Sequence, residues 1–232
     1  MPDIFYKTFK GPLENATGAY ARGLYDLTKM PVTLPAIPGE PSLCEHGYHF
    51  CARDQLVFHL SEHICVVDVS GCAYVRGDDK CATCGPLTIV SRNELWTEQT
   101  ARLFACDCAE RVLNLANDER CDGAVRVARR YALGDATNDE LRAARNAAWN
   151  AARYAAWASA MNAARNAARD AAWNAARKAS LDTAGAAAKS AAWDAAGAAA
   201  WSAERAWQTE LLFEYLEGRR TADDVRREID NA

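Results

Sequence analysis

From Leu141 to about Arg205 the chain keeps one beat. Every fourth residue is large or charged, a small polar residue often follows, and two alanines complete the unit. The lead positions run Leu141, Arg145, Trp149, Arg153, Trp157 and onward in one phase. Alanine fills 32 of residues 141–207, and alanine is the strongest helix former. A helical residue turns about 100°, so four residues overshoot a turn by about 40°. An Ala stripe of this period creeps around the helix and returns after about nine units, about 54 Å along the axis. A straight helix with one fixed buried face does not fit that drift. A helix crossed by different neighbours along its length does, and so does a hairpin whose halves wrap each other. SLDTAG (180–185) supplies the break: Ser180 or Asp182 can cap a new helix, and Gly185 weakens the old one. The spacing therefore predicts helices over about 139–179 and 184–217, packed antiparallel. Facing alanines would let the axes approach near the lower end of the usual range of about 8–10 Å. The same surface could join copies of the chain into a homo-oligomer.

Charge sets this segment apart. Residues 141–207 carry 9 basic and 4 acidic side chains, against 8 and 11 in 1–95, 6 and 9 in 96–140, and 4 and 7 in 208–232. The whole chain, at −4, is nearly balanced. Interleaved Trp and Arg are also what a nucleic-acid surface uses. Here long charged side chains keep an Ala helix soluble, and tryptophans at eight- or sixteen-residue steps serve as packing anchors. Nucleic acid is not the expected partner.

All nine cysteines lie in the first 121 residues. The opening MPDIFYKTFKGP has no apolar core of signal-peptide length, and no run of 18 apolar residues occurs. The expected setting is the cytoplasm, with reduced thiols and no membrane.

Three zones follow: a small Cys-rich mixed domain over 1–95, a helical connector over 96–136, and the Ala-rich hairpin with a C-terminal helix over 137–232. The fold class is α+β. IFYKTF (4–9), HICVVDVSG (63–71) and LTIV (87–90) read as strands, with CAYVRGDD (72–79) continuing the second through a bend. LPAIPGEPS (34–42) is a loop, and ARDQLVFHL (52–60) a short helix. A helix starts near Thr97, with Leu103, Phe104, Cys108, Val112 and Leu115 on one face and Cys106 toward another. NDERCDG (117–123) breaks it, and AVRVARRYAL is a second helix ending at Gly134. Thr137-x-x-Glu140 is a capping box, LLFEYL (211–216) is apolar enough to return to the Cys-rich domain, and TADDVRREI (221–229) is a final helix capped by Thr221.

The densest chemistry is LCEHGYHFC (43–51), with Cys44, His46, His49 and Cys51. CATCG (81–85) adds a Cys-x2-Cys turn that can present two thiolates to one Zn²⁺. A four-ligand structural zinc site would draw on Cys81, Cys84, Cys44 and Cys51. The alternative is small buried thiols and hydrogen-bonded histidines, with no cofactor. His59 and His63 need not share a face. No phosphate loop, Gly-x-Ser-x-Gly or His-Glu-x-x-His motif occurs. Glu45, Tyr48, His49 and Asp68 form the candidate pocket. Asp78-Asp79 and Asp223-Asp224 read as solvated turn and helix-start residues.

KTFKG, LCEHGYHFC, ARDQLVFHL and ICVVDVSG together resemble a family of uncharacterised phage and prophage proteins. That family has an early strand ending Lys-Gly, a Leu-Cys-x-x-Gly-Phe-His-x-Cys segment, a short helix and a Val-x-Val-x-Gly strand. Cys44, Gly47, His49 and Cys51 match, and Tyr48 replaces the Phe. LWTEQTARLFACDCAERVL, AVRVARRYALG and the Ala-rich tail resemble bacterial and phage proteins labelled immunity proteins. The order strand, Gly-aromatic-His, helix, strand is also similar to an ADP-ribosyltransferase core, which implies a ligand cleft at Lys7, Tyr48 and His49. The chain departs from that core in lacking a catalytic glutamate after a late strand. The expected function is a non-enzymatic interaction protein of phage origin, of immunity or counter-defence type. It would recognise a host or phage protein or a small ligand, with Lys7, Tyr48, His49 and Asp68 as the cleft. The alternatives are an ADP-ribosyltransferase-like enzyme and a virion or scaffold component.

Overall fold

FYKTFK alternates aromatic and polar side chains, the mark of a strand with one buried face, and it forms β1 (Phe5–Lys10). A computed structural model of the chain describes residues 3–18, 24–111, 119–144, 146–147 and 202–231. The expected break at 180–185 and the antiparallel pairing of Ala-rich helices fall outside them. The protein is α+β. Further strands are β2 (Ala16–Gly18), β3 (Leu24–Tyr25), β4 (Val32–Leu34), β5 (Tyr48–Phe50), β6 (His63–Asp68), β7 (Tyr74–Arg76), β8 (Cys81–Thr83) and β9 (Leu87–Arg92). A six-stranded sheet runs β3-β2-β1-β6-β9-β4, and a three-stranded sheet runs β5-β8-β7. Every pairing is antiparallel. Among the described residues the helical segments are α1 (Glu98–Arg111), α2 (Glu119–Leu133), α3 (138–144), α4 (202–216) and α5 (Ala222–Asp230).

The chain divides into two compact units, one made of 1–101 with 205–232 and the other of 102–204. The C-terminal residues 205–232 group with the strands.

In the first unit β6 is central, flanked by β1 and β9, with Lys7 opposite Cys65 and a bulge between Val66 and Val67. Its β-branched run suits a strand buried between two neighbours. On β1, Phe5, Lys7 and Phe9 share one face, and Tyr6 lies on the other. Phe5 meets Phe50 and Tyr74 edge-on, at 5.1 and 5.5 Å between ring centroids. These rings close a core with Phe9, Val67, Leu87 and Ile89. Each such side chain contributes roughly 1.5–3 kcal/mol by leaving water. On the opposite face Tyr6 meets Phe213 of α4, ring to ring at 5.4 Å. LLFEYL thus does return to the strands: Leu211, Leu212, Phe213, Tyr215 and Leu216 are all buried. Arg53 stacks 3.6 Å over the Phe213 ring, and the Asn93 side-chain amide donates to the Leu216 carbonyl at 2.9 Å. Thr221 caps α5, accepting from the Asp224 N–H at 3.3 Å.

CAYVRGDD does not extend β6. The chain turns at Gly71, with φ +77°, and Tyr74–Arg76 joins the other sheet as β7.

In the second unit the Thr137/Glu140 capping box forms as read, with the Glu140 N–H to Thr137 Oγ1 at 3.2 Å and the Thr137 N–H to Glu140 Oε2 at 2.7 Å. Gly134 ends α2 at φ +84°. Two readings are corrected. NDERCDG is not all break, because α2 already starts at Glu119 and carries Gly123 inside it. The buried thiol of α1 is Cys106, while Cys108 is half-buried. The reason is Arg129 of α2, whose guanidinium donates to Asp107 at 2.9 Å and Glu110 at 2.8 Å and also bonds Cys106. An interior ion pair needs such full partnering, and it turns residues 106 and 107 inward. Among the described residues no helix is long and apolar enough to cross a membrane.

Candidate functional site

The segment LCEHGYHFC folds as a tight loop leading into β5. Ser42 and His46 bridge its neck, with the Ser42 N–H to the His46 carbonyl at 2.9 Å and the His46 N–H to the Ser42 carbonyl at 3.1 Å. Cys44, Glu45 and His46 stand exposed at its tip. Two positions take the left-handed backbone: Cys44 at φ +71° and Gly47 at φ +112°. Only glycine suits the second. A Cβ there would sit 2.8 Å from the Thr83 carbonyl oxygen of β8, so residue 47 must be bare for the loop to lie against the sheet.

Two histidines, His46 and His49, brace this loop. The Cys44 N–H donates to His49 Nε2 at 3.0 Å. His49 Nε2 is therefore an acceptor, and the neutral ring carries its proton on Nδ1. Burial holds the His49 pKa below its ordinary value, helped by the charges of Lys7 and Lys80. His46 Nε2 lies 2.7 Å from the Pro38 carbonyl, His59 Nε2 3.0 Å from that of Asp79, and His63 Nε2 2.9 Å from that of Gly11. All four histidines of the chain thus use a ring nitrogen on a backbone group. Lys80 bonds the Cys44 thiol, which raises the lysine pKa.

Beneath the loop lies Lys7. Its side chain rises from the core face of β1, between Phe5 and Phe9, and is buried. Nζ donates to the His49 carbonyl at 2.6 Å. Burial drives the Lys7 pKa down to about 8, with Cys51 opposing the shift. The two strands part at this point. Tyr6 and Cys51 exchange both backbone bonds, at 2.8 and 2.7 Å, and the bridge is isolated. Continued by two residues, that ladder would set His49 opposite Thr8. The Lys7 ammonium takes the His49 carbonyl instead.

Of the expected cleft, then, Lys7 and His49 meet, but through a side chain and a carbonyl. Tyr48 points elsewhere, donating from its hydroxyl to the Pro35 carbonyl at 2.9 Å. Asp68 is exposed at the end of β6, and its carboxylate accepts from the Ser70 N–H at 2.7 Å.

The four expected zinc ligands do not converge. Among the described residues no group of three or more His, Cys, Asp or Glu is placed to hold a metal ion. The first three residues of CATC, 81–83, form strand β8, and Cys84 follows it in a bend. The Cys81 thiol donates to Gln55 Oε1 at 3.3 Å, Cys84 is buried and Cys44 exposed. Burial pushes the Cys51 thiol up to about 12.

Gln55 was not legible as a key residue. It is fully buried, accepting from the Ala52 N–H at 3.0 Å and donating to the Gly77 carbonyl at 2.7 Å. It pins the 3-10 turn Arg53–His59 to the hairpin of β7 and β8. Its one sequence signal is a polar residue beside the apolar run Leu56-Val57-Phe58.

No protein-family model, curated protein or solved structure matches the chain.

Proposed function

We propose that this is a non-enzymatic recognition protein, of phage origin and of immunity or counter-defence type, whose contact element is the braced loop 42–47. The observation that supports this reading is the use of His46 and His49 as struts to backbone groups around the loop. Catalysis wants polar groups converging on an open point, whereas His46 and His49 fix the backbone around an exposed tip, and His59 and His63 tie down backbone elsewhere. A tip held in one shape before encounter loses little conformational entropy on binding, which favours affinity. Loops carried on a rigid sheet are the usual seat of recognition.

The test compares capture of host-cell proteins by the wild-type chain, by Glu45→Lys/His46→Ala at the tip, and by Arg219→Ala away from it. The reading expects a bound protein retained by the wild type and the Arg219 variant and lost by the tip variant. A bound set indifferent to the tip would overturn the assignment of the loop. Release of nicotinamide from NAD, abolished by Lys7→Met, would overturn the non-enzymatic reading.

A further inference from the structure

We propose that β7 is a self-pairing edge, through which two copies of this chain join antiparallel about Val75. β7 is an outer strand of the β5-β8-β7 sheet, and all three of its residues are exposed. Its register with β8 sets Tyr74 opposite Thr83, Val75 opposite Ala82 and Arg76 opposite Cys81. The Gly77 N–H bonds the Lys80 carbonyl at 2.8 Å. Hydrogen-bonded and open pairs alternate along an antiparallel ladder, so Val75 points its N–H and C=O at β8. Tyr74 and Arg76 point theirs outward. Among the described residues no group bonds those outward N–H and C=O groups.

The other outer strands of the larger sheet are blunted. β3 has two residues, and β4 is flanked by Pro31 and Pro35, which lack the N–H that pairing needs. β7 has no proline, no bulge and no unbalanced charge. Arg76 Nη2 is tied back to both carboxylate oxygens of Asp54, at 2.9 and 2.7 Å. Two large apolar side chains, Tyr74 at 40% and Val75 at 37% exposure, sit on this edge.

A second copy fits it because the strand is its own complement. With a two-fold axis at Val75, Tyr74 of one copy faces Arg76 of the other, twice. All four outward N–H and C=O groups on each side find partners in those two pairs. Each pair also sets a guanidinium beside an aromatic ring. Val75 meets Val75 as the open, closer pair, with Cα atoms about 4.5 Å apart. The two three-stranded sheets become one of six strands. The patch is small beside the ~1,000 Å² of a stable interface, so the dimer is weak and concentration-dependent. It is independent of the recognition loop, and either idea can fail alone.

Sedimentation equilibrium of the full chain tests it. The wild type is expected to show a monomer–dimer equilibrium. Val75→Lys sets two ammonium groups face to face and should weaken association at least about tenfold, or ~1.4 kcal/mol. Mixing Val75→Lys with Val75→Glu should restore a one-to-one dimer. A wild type that stays monomeric, or a Val75→Lys protein that associates as tightly as wild type, overturns the proposal. If the variants fail to fold, amide exchange of the wild type decides. Tyr74 and Arg76 amides should slow as protein concentration rises, while the Val75 amide, bonded to β8 in both states, should not change. Equal exchange of the outward amides at low and high concentration overturns the proposal.

Discussion

The ammonium of Lys7 donates to the backbone carbonyl of His49 across 2.6 Å, where the next rung of the ladder between β1 and the segment around Cys51 would lie. A cation on the core face of a strand is disfavoured unless it loses its proton, and this one titrates near 8 rather than at its ordinary 10.5. Below about 8 the folded and unfolded chains both hold the proton, and the fold carries the full penalty. Between 8 and 10.5 only the unfolded chain holds it, so stability rises with pH. The shift corresponds to about 3 kcal/mol. Cys51 and Cys65 act in the opposite direction: burial lifts both to about 12 from 9.0, so above pH 9 ionisation favours the unfolded chain. Cys65 is common to wild type and Lys7→Met and drops out of the difference; Lys7 lowers the Cys51 pKa, so without it that thiol moves further up and stays protonated across the range measured. Urea unfolding from pH 7.5 to 10.5 should show the wild type gaining about 3 kcal/mol relative to Lys7→Met. A flat difference would mean that the amine is solvated in the fold.

Thiol reactivity should sort by burial. Cys44 is exposed at the loop tip, whereas Cys51, Cys65, Cys81 and Cys106 are buried, with burial raising the pKa of each of these four. Iodoacetamide at neutral pH followed by peptide mass spectrometry should label Cys44 first and those four only on unfolding. Labelling of Cys65 at the rate of Cys44 in native buffer would contradict the packing of β6.

Gly47→Ala should destabilise more than Gly71→Ala. Both glycines have positive φ, at +112° and +77°, and each substitution carries a backbone penalty of about 1 kcal/mol or more. At Gly71 a Cβ meets nothing within 4 Å, but at Gly47 it would sit 2.8 Å from a backbone oxygen. The expected losses are about 1 kcal/mol at Gly71 and at least about 2–3 kcal/mol at Gly47, read from chemical denaturation. Equal losses would show that the loop can lift from β8 freely.

In the helical unit, Arg129→Met strands the buried Asp107 carboxylate. Removing one partner of an interior ion pair costs about 3–5 kcal/mol, to be read from thermal melts of helical circular dichroism. Adding Asp107→Asn to the same chain should recover part of the loss, because the unpaired charge is then gone. No recovery in the double variant would mean that Arg129 acts by packing alone.

Legibility in the sequence followed locality. β1, β6 and β9 carry their pattern within six residues, and the Thr137, Gly134 and Thr221 signals act within one helical turn, so each could be read directly. β5, β7 and β8 have three residues apiece and exist only because distant partners align them. That is why CAYVRGDD passed for an extension of β6 and CATC for a metal-binding turn. The choice between Cys106 and Cys108 was settled by Arg129, twenty-three residues beyond Cys106, which no face-counting on α1 can foresee. At the candidate site, the cluster 43–51 and Gly47 stood out by composition and were placed together. Asp68 was grouped with them on chemical type alone, and its carboxylate bonds locally. Lys7 was singled out, but its partner is a carbonyl, and main-chain acceptors leave no mark in side-chain sequence.

Phe213 rests on Tyr6 and beneath Arg53, so the strand unit is closed by residues made late. During synthesis β1 leaves the ribosome roughly two hundred residues ahead of its cover. Until α4 is translated, Tyr6 lacks the Phe213 ring that packs on it. A chain truncated before residue 205 would leave Tyr6 without that ring and should be cut by protease near β1 faster than the full chain.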